Sequence, residues 1–342
     1  DGQKMWGQLT RNLGLAHYVQ WCFWDAAHLL PDLFGPNDYD LVLPDDEPVQ
    51  RFLDDVWRRP DPNRQGWLRF DFRPDPARGP GLSEADGDEG FQTRFIGDLY
   101  QELDAEIRDR YALLQTPHFI SQFILEQTLL KRFEEKDFRQ VTLIDPTAGS
   151  AHFLVDAFWM FVEQYEQARG RRRDQMTSAE RAEIARTVIE THLFGCDINP
   201  YATALARFRL LLAACDYAHP TSLRDFRDLR FNLVTIDSLI PYEKLMVSGV
   251  QEDSTTAQVL GQPEAIQRTL PVLRKRYDVV VGNPPYIQAR DKVKRDLYRE
   301  HYVAAYRKFG LAAPFIERFF HLAANSGYVG LITSNAFANR LF

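Results

Sequence analysis

The chain has 342 residues, 45% of them hydrophobic, and a formal net charge of −7. This hydrophobic content can bury a large core and excludes disorder as the default, while the acidic balance excludes a uniformly basic nucleic-acid binder but allows a local basic face. The three cysteines lack zinc-binding spacing, no apolar run of about eighteen residues occurs and the start has no signal-peptide pattern, so we predict a cytoplasmic protein with no metal site and no membrane partner.

The first ninety residues show two patterns. Aromatic side chains at mixed helical spacing run from Trp6 to about Phe34 and predict a helical packing element. From there to Gly90 the chain is rich in Pro, Asp, Gly and Arg, which is typical of irregular or linker structure. We therefore predict a helical and irregular accessory region over residues 1–90, followed by one larger domain over residues 91–342.

The larger domain is predicted to alternate strands and helices. A helical pattern that begins at Phe95 is broken at Thr116-Pro117, where Thr116 is suited to cap a second helix from about His118 to Arg132. Short apolar runs then alternate with helical segments. The predicted strands cover residues 141–144, 193–197, 231–235, 277–281 and 328–332. These repeated units predict an α/β fold with a doubly wound, mostly parallel, Rossmann-like sheet.

Four polar residues fall at the carboxyl ends of these strands, where doubly wound sheets bind their ligands. They are Asp145, Asp197, Asp237 and Asn283. Small residues after Asp145, including Gly149, let a ligand approach the backbone, although a plain strand-to-helix turn is the alternative. Asp197 is placed to accept hydrogen bonds from two ribose hydroxyls and Ile198 to press on an adenine, while Asn199 is better explained as a helix cap. The long gap before Asp197 predicts an inserted helical segment around 169–190.

The most specific pattern is an apolar strand from Tyr277 that runs into Asn283-Pro284-Pro285-Tyr286. An exocyclic amino nitrogen is a poor nucleophile because its lone pair is delocalised into the ring, so a site must hold its two N–H groups with fixed acceptors. The Asn283 side-chain oxygen and the Pro284 carbonyl can be those acceptors, stiffened by the two prolines. Tyr286 offers a face on which an extruded base can stack. The motif therefore predicts methyl transfer to an amino group.

A basic run follows this motif. It comprises Arg290, Lys292, Lys294 and Arg295. Its position beside the motif favours contact with a substrate, whereas two earlier basic runs, at 169–173 and 274–276, are typical of solvated faces.

Taken in order, these segments resemble the amino-group DNA methyltransferases of the γ arrangement, in which the cofactor loop precedes the catalytic motif. The resemblance implies S-adenosyl-L-methionine as the cofactor. It implies cofactor binding by Thr116, Pro117, Asp145, Thr147, Gly149, Asp197, Ile198, Asp237, Ser238 and Asn283. It implies catalytic roles for Asn283, Pro284, Pro285 and Tyr286.

Two segments, 94–101 and 111–117, are more narrowly similar to the methylases of phage-defence systems, PglX of BREX-type systems or the related DISARM methylase. This similarity implies methyl transfer to N6 of adenine in double-stranded DNA, with the adenine flipped out of the helix, and other defence-system proteins as partners. Family members continue into a target recognition domain. We therefore expect residues 91–342 to be a methyltransferase catalytic domain that is cut short of it.

Two residues depart from the loop of this family, Ala148 and Ala151. Ala151 stands where the family usually has a second loop glycine, and alanine at a positive φ costs on the order of 1 kcal/mol. Because Asp145, Gly149 and Asp197 are intact, we expect cofactor binding to survive.

Three alternatives stay open. Asn-Pro-Pro-Tyr also serves enzymes that methylate protein glutamine or guanine amino groups in RNA. The altered loop supports a non-catalytic sensing subunit, in which cofactor occupancy licenses a larger defence complex. N4 of cytosine presents an amino group to the same acceptors, although the motif favours adenine.

Overall fold

A computed structural model describes much of the second half of the chain and parts of the first. The described residues are 7–8, 10–12, 14–35, 45–57, 60, 116–220, 222–241, 263–289 and 291–333. The helical pattern that begins at Phe95, the segment 94–101 and Arg290 lie outside them. The chain divides into two compact units, one of residues 1–91 with 220–230 and the other of 92–219 with 231–342.

The first unit contains short helices. Helix α1 spans Leu15–Leu29, α2 spans Pro31–Phe34 and α3 spans Asp46–Phe52. The Asp46 carboxylate accepts a hydrogen bond from the Ala16 amide at 2.8 Å, which satisfies a free N–H at the start of α1 and holds the pKa of Asp46 below its usual value. α1 confirms the predicted helix. α3 contradicts the irregular structure predicted there, because acidic residues in its first turn favour a helix start.

The second unit is built on a parallel five-stranded sheet. Its strands are β1 Leu143–Asp145, β2 Leu193–Asp197, β3 Asn232–Thr235, β4 Tyr277–Gly282 and β5 Ala323–Leu331. They lie in the order β3-β2-β1-β4-β5, and every neighbouring pair is parallel. Every residue of β1 and β4 is buried, as expected for central strands covered on both faces. The predicted doubly wound α/β fold is confirmed.

Helices connect these strands. They are α6 His152–Arg169, α7 Ser178–Thr187, α8 Pro200–Ala218, α9 Pro263–Arg274, α10 Lys292–His301 and α11 Ala312–Leu322. α7 lies between β1 and β2 and begins at a capping box in which Thr177 and Glu180 satisfy each other's amides. It confirms the helical segment predicted to lengthen the gap before Asp197.

A long helix precedes β1; it begins at the predicted His118 and ends three residues beyond the predicted Arg132. α4 spans His118–Leu125, a π-helical turn spans Glu126–Leu130 and α5 spans Lys131–Glu135. The N-cap residue is Pro117, whose ψ of 141° is extended, and no side chain caps the first turn. The predicted capping role of Thr116 is therefore wrong, because Thr116 lies one residue too early in the chain.

This long helix brings Thr116 to the ligand-binding edge of the sheet. Near its far end Arg132 and Lys136 donate hydrogen bonds to Asp278 Oδ1 at 3.0 and 2.7 Å, close to the start of β4. At ~1.5 Å per residue, a helix from 118 to 135 is about 27 Å long. Its near end therefore reaches the end of β4, where Thr116 Oγ1 accepts a hydrogen bond from Asn283 Nδ2 at 3.3 Å.

Candidate active site

A cleft opens at the carboxyl edge of the sheet, where the loops after β1, β2, β3 and β4 meet. Counting its open mouth, it encloses about 1000 Å³. The predicted site residues that line it are Thr116, Asp145, Thr147, Gly149, Asp197, Ile198, Asp237, Ser238, Asn283 and Pro285. Pro117, Pro284 and Tyr286 are chain neighbours of these residues and do not line it. The four strand ends thus converge, while the roles of their residues stay predictions.

The loop after β1 folds around the Asp145 carboxylate. Asp145 Oδ1 accepts hydrogen bonds from Thr147, at 2.9 Å from the amide nitrogen and 3.1 Å from the hydroxyl. The Ala148 amide donates to the Cys196 carbonyl at 2.8 Å and ties the loop to β2. Gly149 has a φ of +52°, and a Cβ there would meet no atom closer than 4.0 Å. The space beside its backbone is therefore open to a ligand.

Ala151 ends this loop with a left-handed backbone, φ 69° and ψ 38°. The positive φ expected at this position is confirmed, and its cost is on the order of 1 kcal/mol. The methyl group of Ala151 is fully buried, and this burial stabilises the folded state by roughly 0.8 kcal/mol. The two effects nearly cancel, so alanine adds little net strain at this position.

Gly282, the last residue of β4, allows a close approach that the sequence did not indicate. A Cβ at this position would lie 2.6 Å from Thr147 Oγ1 and 2.7 Å from Asp145 Oδ1. No side chain larger than hydrogen fits there. Because Asn283 follows directly, this contact fixes the Asn-Pro-Pro-Tyr motif beside the Asp145 loop.

Burial dominates the electrostatics of the two carboxylates at the ends of β1 and β2. Burial, with a smaller contribution from the charge of Asp197, raises the pKa of Asp145 to about 7. Burial also raises the pKa of Asp197 to about 6, although Asp197 accepts hydrogen bonds from the Gly149 and Asn199 amides at 2.9 and 2.8 Å. Two such carboxylates favour a ligand that brings positive charge or hydrogen-bond donors, because it replaces the lost water.

Asp237 is held by two side chains of α10, the helix that follows the motif. Lys294 Nζ and the Tyr298 hydroxyl donate to Asp237 Oδ2 at 2.9 and 2.6 Å, and the Leu239 amide donates to Oδ1 at 3.2 Å. Lys294, which belongs to the basic run favoured for substrate contact, is thus paired with a carboxylate of the cleft, and the sequence did not single out Tyr298. Their spacing of four residues on one helix face is the signal that points to a shared partner.

Three other residues at the edge differ in what their side chains do. The Ser238 hydroxyl donates to the Pro146 carbonyl at 2.7 Å, so it holds the β1 loop as well as lining the cleft. Asn199 accepts from the Tyr201 amide at 3.0 Å, which confirms its predicted capping role. Ile198 is 46% exposed and presents an apolar surface to the cleft.

Asn283 lies between two hydroxyl groups. Its Nδ2 donates to Thr116 Oγ1 at 3.3 Å, and its Oδ1 accepts from the Tyr286 hydroxyl at 2.9 Å. The oxygen predicted to hold an amino group is therefore occupied by a hydroxyl of the same motif. Burial raises the pKa of Tyr286 above its usual value, so this hydroxyl remains a neutral donor.

The described part of the chain contains neither a cluster of metal-ligating side chains nor a membrane-spanning helix. No group of three or more His, Cys, Asp and Glu side chains is arranged to hold a metal ion. None of the helices in that part of the chain has the length and apolar character needed to span a membrane.

Known proteins resemble this chain over most of its length. Residues 191–341 match the family model described as the Eco57I restriction-modification methylase. The adenine-specific methyltransferase PglX of Streptomyces coelicolor is 39% identical over 332 residues, which cover 93% of this chain and 26% of that protein. The type II restriction enzyme and methyltransferase RM.Eco57I of Escherichia coli is 23% identical over 241 residues, 66% of this chain and 23% of that protein. The chain spans about a quarter of the length of these relatives.

The fold is shared with a solved structure. A chain in a DrdV–DNA complex aligns with a TM-score of 0.50 and 17% identity, over 73% of this chain and 24% of that one. At this identity the likeness supports the fold alone.

Proposed function

Because the chain belongs to the family of PglX and Eco57I-type methylases, we propose that it transfers a methyl group from S-adenosyl-L-methionine to N6 of adenine in double-stranded DNA. Residues 91–342 carry the reaction and residues 1–90 form an accessory region. The biological role is marking of host DNA in a phage-defence or restriction-modification system, with other defence proteins as partners. The proposal rests on the position of Asn283. This residue directly follows the buried strand β4 and lies beside Asp145 at the edge of the cleft.

The acceptors of the cleft match the chemistry of this cofactor. Asp145 suits its ammonium group, Asp197 its ribose hydroxyls and Asp237 the amino group of its adenine, with Ile198 against the adenine face. The open space beside Gly149 suits a ligand that lies against the backbone. When bound, S-adenosyl-L-methionine supplies an electrophilic methyl group, and its sulfur leaves with the bonding electron pair.

The motif supplies fixed acceptors for the amino group. The Asn283 side-chain oxygen and the Pro284 carbonyl accept its two N–H bonds, which restores nucleophilic character to the nitrogen and stabilises the positive charge that develops on it. The Tyr286 hydroxyl must first release Asn283 Oδ1, and its ring then stacks on the flipped adenine. The nitrogen loses its extra proton to solvent after transfer, so no strong base is needed.

A non-catalytic sensing role is the second candidate, since Ala148 and the left-handed Ala151 depart from the family's loop. The net strain at Ala151 is well below the ~1.4 kcal/mol that would weaken binding tenfold, and Asn283 lies in the cleft. These two facts favour catalysis.

Mass spectrometry tests the proposed reaction. The full-length protein is incubated with S-adenosyl-L-methionine and unmethylated duplex DNA, and the digested nucleosides are separated. We expect N6-methyladenine, and none without the cofactor. If N4-methylcytosine forms instead, the target base is cytosine and not adenine. If methylated RNA or methylated protein glutamine forms in parallel reactions, the substrate is not DNA. Cofactor binding without any product would favour the sensing role.

Replacing Lys294 by Met tests its place in the cofactor site. Asp237 loses its cationic donor, so we expect about tenfold weaker binding of S-adenosyl-L-methionine by calorimetry. The turnover number at saturating cofactor should stay within about twofold, because Lys294 contacts Asp237 and not the proposed acceptors of the motif. Lys294→Arg should restore binding. A rise in the KM for DNA, with unchanged cofactor affinity, would instead show that Lys294 contacts the DNA substrate, as predicted for the basic run.

A further inference from the structure

The segment between α10 and α11 emerges beside the cleft. Tyr298 and Leu311 both line the cleft, and the loop from Tyr302 to Gly310 lies between them in the chain. The Leu311 amide donates to the Ile287 carbonyl at 2.8 Å, one residue beyond the Asn-Pro-Pro-Tyr motif. The loop is therefore held next to the position proposed for the reacting base.

This loop is anchored at several points. The Tyr302 hydroxyl donates to the Leu239 carbonyl at 2.6 Å, and the Ala304 amide donates to the Glu317 carboxylate at 2.9 Å. The guanidinium of Arg299 donates to a carbonyl within the loop at 2.9 Å. Tyr302, Ala305 and Phe309 are buried. Side chains that point outward from the loop are thus presented by a fixed backbone.

The outward side chains combine apolar surface with positive charge. Val303 is 89% exposed and Tyr306 is 68% exposed. Arg307 and Lys308 follow them and are exposed, and the Arg307 guanidinium lies 5.1 Å from the centre of the Tyr306 ring. Arg307 adopts a φ of +52°, a conformation that non-glycine residues disfavour. The disfavoured conformation is therefore at Arg307, whose side chain is exposed to solvent.

The loop carries a local positive charge. The stretch 302–310 contains two cations and no acidic residue, whereas the whole chain has a net charge of −7. Among the described residues, neither Arg307 nor Lys308 makes an ion pair. Cations without acidic partners suit phosphates, and an aromatic ring beside them suits the face of a nucleic-acid base.

We propose that this loop, residues 302–310, binds the DNA duplex next to the extruded adenine. Tyr306 stacks on a base left exposed by the extrusion, with Val303 beside it, and Arg307 and Lys308 contact the flanking phosphates. An apolar side chain in such a gap replaces stacking that the flipped base has given up. The inference rests on the proposed function and adds a duplex-binding surface to it.

Fluorescence with matched variants tests the loop. Sequencing DNA methylated by the full-length protein first identifies the target site. A duplex that carries 2-aminopurine in place of the target adenine then reports extrusion as a rise in fluorescence. We expect Tyr306→Ala to weaken duplex binding roughly tenfold and to reduce the fluorescence rise, and Tyr306→Phe to retain both. Arg307→Ala with Lys308→Ala should weaken duplex binding and flatten its dependence on salt.

Arg139→Ala is the matched control, because Arg139 is an exposed cation just before β1, at the opposite edge of the sheet. It should leave duplex binding unchanged. Cofactor affinity and melting temperature should match wild type in all variants, since the replaced side chains are exposed. Normal duplex binding and fluorescence by Tyr306→Ala, in a protein whose wild type methylates DNA, would overturn the inference. If the wild-type protein does not methylate DNA, the proposed function is overturned. If the variants lose binding to RNA but keep binding to duplex DNA, the loop binds RNA and the inference is overturned.

Discussion

Asn283→Ala should reduce methyl transfer by about 100- to 1000-fold while cofactor affinity stays within about twofold. The substitution removes the side-chain oxygen proposed to hold the amino group as its nitrogen becomes positively charged. The carboxylates proposed to bind the cofactor, at Asp145, Asp197 and Asp237, are untouched. Transfer is measured with radiolabelled methyl groups on duplex DNA, and cofactor affinity by calorimetry on the same preparations.

Two further variants separate the chemistry at Asn283 from loss of structure. Tyr286→Phe removes the hydroxyl that occupies Asn283 Oδ1 and keeps the ring, so turnover should be retained. Thr116→Val removes the acceptor of Asn283 Nδ2, so turnover should fall with little change in the melting temperature, and Thr116→Ser should restore it. Turnover that is unchanged in Asn283→Ala would refute the catalytic assignment.

Asp145→Asn should raise the melting temperature of the ligand-free protein and weaken binding of S-adenosyl-L-methionine by at least tenfold. The buried carboxylate has a pKa of about 7, so ionising it at neutral pH disfavours the folded state. Asparagine keeps an oxygen for the two hydrogen bonds from Thr147 and removes the charge. It also removes the proposed partner of the cofactor's ammonium group.

The stability of the ligand-free protein and its affinity for the cofactor should change with pH in opposite directions. Between the unfolded pKa, roughly 4, and about 7, the folded carboxyl group keeps a proton that the unfolded one loses. The contribution of Asp145 to stability therefore falls as pH rises through this window and is constant above it. Cofactor affinity should rise towards pH 8 as the carboxylate ionises.

Thermal melting and calorimetry from pH 5 to 9 measure both. The difference in melting temperature between Asp145→Asn and wild type should grow with pH up to about 7, and the variant's cofactor affinity should change less with pH. A lower melting temperature for the variant at every pH would show that the carboxylate stabilises the fold.

Local patterns were sufficient where one segment decides its own structure. The run from Leu193 to Asp197 was predicted with the bounds that the structure has, because a short apolar run that ends in a polar residue reads as a buried strand. The positions of Asp145 and Asn283 at strand ends followed from the same reasoning. Parallel strands with helical connections then left few ways to arrange them.

Features that depend on distant residues were not visible in the sequence. The partner of Lys294 lies 57 residues earlier in the chain, so a basic run beside the motif gave no sign of it. The need for glycine at 282 arises from the side chains of Asp145 and Thr147, at the end of β1 and in the loop after it. Thr116 does not cap the helix because Pro117, with an extended backbone, takes the N-cap position directly before His118.

The contact between Lys294 and Asp237 has a thermodynamic consequence. The helix that carries Lys294 begins six residues after the end of Asn-Pro-Pro-Tyr, so one short segment joins the pocket proposed for the cofactor's adenine to the motif proposed for the DNA base. If this segment shifts when a base enters the cleft, Lys294 shifts with it and its contact with Asp237 changes. By the reciprocity of linked equilibria, the factor by which DNA changes the affinity for S-adenosyl-L-methionine then equals the factor by which S-adenosyl-L-methionine changes the affinity for DNA.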